Sequence, residues 1–358
     1  MKAQSSNAPD ASRRNCGKPA YTAALITSIL LLPLLAVGAG VTSKNAGMAY
    51  PDWPTSNAHL INPPGWWQKE DTRWEHGHRL IGWCVGMSAI VLAATTWSAG
   101  GAVRVLSLAT LAAIIVQGVL GGLRVREVST FLALIHGIWG QVCFCLAATA
   151  ALLTLPSWND LAGAVRGRAA KFFQRLSLAG VFCVFLQLVF GAAYRHFGSR
   201  NALIAHLLWV IVVIIVVGWI TMWVLEQYSQ NTVLRRLGQG LAVTLTLQLL
   251  LGGAAFLVVV MGGNWPYLLV WGVPSAHVVV GALMLADLVL LSIAARHVLV
   301  TPTALQLDDA AYPLPHGRGS VSSGAGGVHH DRGVQGRVTT TNAGPMNLTV
   351  DSAAVGLS

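Results

Sequence analysis

The chain has 358 residues, of which 54% are hydrophobic and only 10% charged, and its mean hydropathy is +0.60. A water-soluble domain is about a quarter charged, so this composition excludes an ordinary soluble enzyme and makes lipid the main solvent. The formal net charge of +10 does not point to nucleic acid: the basic residues cluster in short segments between apolar runs, the pattern of membrane topology, and no arginine-rich stripe interleaves with aromatics.

In chain order, residues 1–20 form a basic N-terminal segment containing Arg13 and Arg14. Paired arginines before an apolar run also mark cleaved or twin-arginine signals; the length of the run favours an uncleaved first helix. Eight apolar spans are expected at 21–43, 76–97, 105–124, 130–154, 176–194, 202–225, 239–261 and 275–295. Each can cross a hydrocarbon core of about 30 Å at about 1.5 Å per residue. The fold class is therefore all-α integral membrane. With the N-terminus inside, the inner segments hold fifteen Lys and Arg and the outer segments eight, or twelve against eight without the long tail, which places both termini in the cytoplasm.

The first outer segment, 44–75, carries Tyr50, Trp53, Trp66, Trp67 and Trp74 among four prolines. Two readings stand: an interfacial belt of aromatics, or a lid over something bound at the outer face. Residues 155–175 read as a cytoplasmic linker. The segment 298–358 turns rich in Gly, Ser, Thr and Asn and reads as a disordered tail, in which His316, His329 and His330 are solvated. Four of the five cysteines (Cys84, Cys143, Cys145, Cys183) lie in apolar runs, where a thiol packs as a small hydrophobe; Cys143 and Cys145 point about 200° apart on a helix and make a poor metal clip. Cys16 lies in the N-terminal segment.

The third span ends in Gln117-Gly-Val-Leu-Gly121-Gly122 and the seventh in Gln248-Leu-Leu-Leu-Gly252-Gly253, with a weaker echo at Gln187 and Gly191. A repeat four spans apart divides the chain into two tandem four-helix halves, 21–154 and 176–297. The glycines permit close helix approach in lipid, and they also suit helices flanking a flat macrocycle.

Four histidines follow the same order. His78, His136, His206 and His277 lie near the starts of spans two, four, six and eight, so all four are expected near the outer surface, two in each half. His297 reads as interfacial. Ionisable groups in lipid are costly and normally functional, and imidazoles facing each other across a bundle suit axial ligation of heme iron. The intervals of 58 and 71 residues are too long for a local zinc motif. The rival is a histidine-lined proton or cation pathway, which few other ionisable residues in the spans would continue. Glu75 lies one helical turn before His78, whereas Ala133, Leu203 and Pro274 stand at the corresponding positions of the other three. It is either a solvated helix-end charge or an acid–base group.

Tyr50-Pro-Asp-Trp-Pro54, Glu75-His-Gly-His-Arg-Leu-Ile-Gly82, Gln117-Gly-Val-Leu-Gly-Gly-Leu-Arg-Val125 and Gly191-Ala-Ala-Tyr-Arg-His196 resemble the heme A synthase family over about residues 25–297. The resemblance implies an eight-helix duplication in a bacterial or mitochondrial inner membrane that oxidises a methyl group of heme O to the formyl group of heme A. It implies a heme b cofactor held by His206 and His277, substrate heme at His78 and His136, and Glu75 as the catalytic carboxylate. It makes His196 a family-shared loop residue instead of a ligand. Implied partners are the heme O substrate, membrane lipid, an electron donor, heme O synthase and cytochrome oxidase assembly proteins. The outer-loop cysteine pair of some members has no counterpart here. A diheme b-type electron carrier and a heme transporter or chaperone are the alternatives.

Overall fold

A computed structural model describes residues 17–301 apart from Arg168. Residues 1–16 and 302–358 lie outside the described residues, and with them the arginine pair, Cys16, and the tail with its three histidines. Eight long helices account for most of the described chain: α1 (Lys18–Ser43), α2 (Glu70–Thr96), α3 (Gly101–Arg126), α4 (Thr130–Leu153), α5 (Ala170–Phe197), α6 (Arg200–Gln227), α7 (Thr232–Ala255) and α8 (Tyr267–Val298). All eight are long and apolar enough to cross a membrane. Their outward surfaces carry exposed residues such as Leu208, Ile215, Met222 and Leu250, a coat that lipid covers and water does not. The chain is a multi-pass membrane protein.

Every expected span is present, but the helices extend past the apolar runs. The second starts at Glu70 instead of 76, the seventh at Thr232 instead of 239, and the eighth at Tyr267 instead of 275. An apolar run marks only the depth of lipid, and a helix can continue past it; α7 starts where Asn231 caps it, whereas α2 and α8 start without a side-chain cap. Ser129, Ser199 and Asn231 supply such caps, accepting from the amides of Leu132, Ala202 and Leu234. α8 runs straight through Pro274. α5 closes on Gly198 in the left-handed conformation at φ +63°, which lets Ser199 cap α6 at once.

Helices α1 to α4 pack in sequence and close on themselves through α1 and α4; α5 to α8 do the same through α5 and α8. The two rings meet where α8 lies against α1 and α4, and α4 against α5. Small side chains allow that approach, with Ala147 on α4 and Ala282 and Ala286 on α8 sharing one buried cluster with Cys143 and Phe144. A larger core of Phe173, Val217, Ile220, Leu241, Leu288 and Leu291 fills the second ring. At the end of the bundle away from residues 44–69, the 155–175 linker is tied down. Its strand β1 (Val165–Arg166) pairs in parallel with β2 (Leu299–Val300), and Gly163 N–H donates to His297 O at 2.9 Å. His297 stacks on Trp158 at 4.0 Å. Among the described residues, Cys84, Cys143, Cys145 and Cys183 are all free thiols.

Candidate functional site

The four even-numbered helices start at the face that carries residues 44–69, here termed the loop face. His136 and His206 are each the seventh residue of their helices, His78 the ninth and His277 the eleventh. At about 1.5 Å per residue, all four imidazoles lie within about three turns of that face, half-buried among the helices.

They meet in two pairs. The rings of His78 and His136 are centred 6.4 Å apart at 73°, and those of His206 and His277 are 6.2 Å apart at 81°. One metal atom between two imidazole nitrogens, with bonds of about 2.0–2.1 Å and about 1.1 Å more to each ring centre, requires about 6.3 Å. The spacing fits an iron held axially on both sides, in each bundle.

Each ring is seated the same way on the helix before it. A β-carbon on Gly38 of α1 would fall 2.8 Å from Cε1 of His78; the corresponding distances are 2.9 Å for Gly121 and His136, 2.9 Å for Gly191 and His206, and 3.0 Å for Gly252 and His277. Glycine is required at these four places because any side chain would displace the imidazole. Four residues before three of these glycines stand Gln117, Gln187 and Gln248, and before the fourth stands Leu34. The same glycine–imidazole contact therefore occurs in all four helical hairpins.

The glutamines fix the rings unequally. His136 Nδ1 donates to Gln117 O at 3.2 Å and His206 Nδ1 to Gln187 O at 3.1 Å, while the two glutamine amides donate back to the histidine carbonyls at 2.9 and 3.1 Å. A proton on Nδ1 leaves the Nε2 lone pair for a metal, and a carbonyl partner fixes that tautomer. Trp139 and Trp209, one turn further along, donate to Ala113 O and Cys183 O. His78 Nδ1 and His277 Nδ1 face the backbone of Leu34 and Gln248 but make no hydrogen bond of ordinary geometry there. Each pair thus joins one anchored imidazole to one freer imidazole.

Glu75 is not the solvated helix-end charge of one sequence reading. Because α2 begins at Glu70, the first-turn acids are Glu70 and Asp71. Glu75 lies in the second turn with 4% of its surface exposed. Its Oε2 accepts from the amides of Ala49 and Tyr50 at 2.6 and 3.2 Å, and its Oε1 from Arg79 Nη2 at 2.5 Å. Arg79 in turn donates to the carbonyls of Asp52, Thr55 and Tyr50. The segment 44–69 is folded onto the first bundle by this carboxylate–guanidinium hub.

The aromatics of that loop divide between buried and exposed positions. Tyr50 is buried, the Trp53 ring packs on Gly122 and the Trp74 ring on Gly40, while Trp67 is exposed. Within the loop, burial pushes the Asp52 carboxyl up, but hydrogen bonds from Thr55, Ala58 and Asn57 outweigh it and hold the group at about 2.

Two residues escaped the sequence reading. His76, 1% exposed, contacts Ser56 Oγ through Nδ1 at 3.0 Å and donates from Nε2 to Ile61 O at 2.8 Å. It clamps the loop and has no nitrogen left for a metal. Asp287 lies inside α8, where it accepts from Thr244 Oγ1 at 3.3 Å in space left by Gly240. His196, at the end of α5, approaches Gly137 beside His136 and makes no ligand pair. A separate cleft of about 530 Å³ opens between Lys44, Trp74, Tyr267 and Trp271 and includes none of the four paired histidines. No protein-family model matches the chain, and no curated protein matches it.

Proposed function

We propose that the chain is a heme A synthase, oxidising a methyl substituent of heme O to a formyl group. The observation that carries this reading is an asymmetry between two otherwise like sites. Both histidine pairs have the spacing of an axially held iron, but among the described residues only His78–His136 has a carboxylate, Glu75, one turn above it. Two equal pairs alone would suit a diheme electron carrier or a heme transporter; chemistry at one of them needs a group that can move a proton.

In this reading the two rings are tandem repeats, with the loop face outside an inner membrane and both termini cytoplasmic. The His206–His277 pair holds heme b, which supplies one-electron transfer. Heme O binds at His78–His136 beneath the outer loop, which excludes water from the reacting edge. Glu75 takes or returns a proton at the methyl group. An electron donor and neighbouring heme O synthase and cytochrome oxidase assembly proteins complete the expected surroundings.

Iron held by both His78 and His136 has no open position, so one ligand must be the weaker. His136 is anchored by Gln117, whereas His78 has Leu34 in that place and its Nδ1 makes no hydrogen bond of ordinary geometry. His78 is therefore the labile ligand. His136→Ala is expected to lose substrate heme binding, and His78→Ala to keep most of it; equal loss in both, measured as bound heme O, would overturn the assignment.

The function itself is tested by expressing the protein beside a heme O source and analysing the extracted heme. Formyl-bearing heme is the expected product. Recovery of heme O and heme B alone, from protein that carries both, would select the electron carrier or transporter.

A further inference from the structure

Three arginines stand near the ring pairs at the loop face, and they are used differently. Arg79 is engaged by Glu75 and loop carbonyls. Arg195 of α5 reaches across to the first bundle, where its Nη2 donates to Ala39 O and Ser43 Oγ on α1, both at 2.7 Å. Its Nη1 and Nε have no hydrogen-bond partner, and no carboxylate pairs with it, among the described residues. Arg124 of α3 makes a single long bond, Nη2 to Gly47 O at 3.4 Å, and likewise has no ion pair among those residues. Both are half-buried. A guanidinium carries five donors in a fork that matches a carboxylate, and sequestering its charge without an anion is unfavourable.

Their places follow the repeat. Arg124 comes three residues after Gly121, and Arg195 four after Gly191. Each therefore sits one turn nearer the loop face than the glycine that seats an anchored imidazole. The same Arg195 links the sites mechanically. Ala39 adjoins Gly38, the seat of His78, and Ser43 Oγ is 3.3 Å from Ser275 Oγ, two residues before His277.

We propose that Arg124 and Arg195 are carboxylate seats, one at each histidine pair, which hold propionate groups of the bound tetrapyrroles, and that Arg195 also ties the two bundles together. The neutral acceptors on α1 orient the Arg195 fork, and the donors left over take the ligand's anion. This rests on the heme reading above; a lipid headgroup could offer the same anionic oxygen chemistry, and the experiment separates the two.

Heme B and its dimethyl ester, in which both propionates are blocked, are titrated into full-length protein from heme-starved cells and followed by the low-spin spectrum. The variants are Arg195→Gln, which keeps a donor for Ala39 O and Ser43, and Arg124→Gln. In wild type, heme B should bind at least about tenfold more tightly than the ester, the size of a charge-assisted hydrogen bond. Arg195→Gln should lose that preference at the second pair, and Arg124→Gln at the first, while the affinity for the ester stays unchanged. An equal loss for heme B and ester would make the arginines bundle ties only. No loss, or no wild-type preference, would assign their anion to lipid, and either result overturns the proposal. Wild-type protein that takes up no heme B would overturn the heme reading itself.

Discussion

Replacing His206 and His277 together with alanine is expected to abolish the low-spin b-type spectrum of the second bundle while leaving the protein in the membrane. The two rings face each other at 6.2 Å, so in the proposed reading both would hold the cofactor iron, and no other described imidazole lies between α6 and α8. Membrane insertion should be unaffected. α6 has a mean hydropathy of 2.8 over its most apolar window and α8 of 2.5, and alanine is both more apolar and a better helix former than histidine. The single His206→Ala variant should be more severe than His277→Ala, since it removes the ring whose Nδ1 is anchored on Gln187 O. Spectra of purified protein, normalised to membrane-inserted chain, check this. A double variant with its full b-type spectrum would rule out His206 and His277 as the cofactor ligands.

Much of this architecture was legible in the sequence because lipid imposes one-dimensional rules. Spans show as apolar runs, and the histidines and glycines stand out against them. The recurrence of Gln, three residues and Gly at 117, 187 and 248 stood out in the sequence, but that these glycines seat imidazoles shows only in the fold. What the sequence did not reveal depends on contacts between distant segments. For Glu75 the sequence left a solvated helix-end charge and an acid–base group both open; its burial is decided by amides of Ala49 and Tyr50, some 25 residues upstream. His76 and His78 look alike in the motif, and only the folded loop shows that His76 has both nitrogens occupied. Arg195 read as an outer-loop cation counted for topology. Its contact with α1, over 150 residues away in sequence, has no local signature at all.

Glu75→Gln is expected to stop formyl-heme production, by at least about a hundredfold on the scale of a lost acid–base group, with heme O or a partly oxidised hydroxymethyl product accumulating. The structure sharpens what this substitution does. Glutamine can still offer one oxygen to the amides of Ala49 and Tyr50, but its NH2 group then meets the Arg79 guanidinium, donor against donor. The charge at the substrate pair disappears and the Arg79 hold on the loop weakens at the same time. The second bundle is the internal control. Its histidines are positioned by Gln187, Gln248 and their glycines, none of which touches Glu75, so the b-type spectrum of that site should persist unchanged. His76→Ala is the control for the loop. It removes the contact with Ser56 and the bond to Ile61 O but leaves the Glu75 carboxylate in place, so it should retain most of the conversion that Glu75→Gln abolishes. Equal losses in the two variants would reduce Glu75 to an anchor for the outer loop. Near wild-type formyl-heme output from Glu75→Gln would remove it from the chemistry altogether and, with it, the asymmetry on which the enzymatic reading rests.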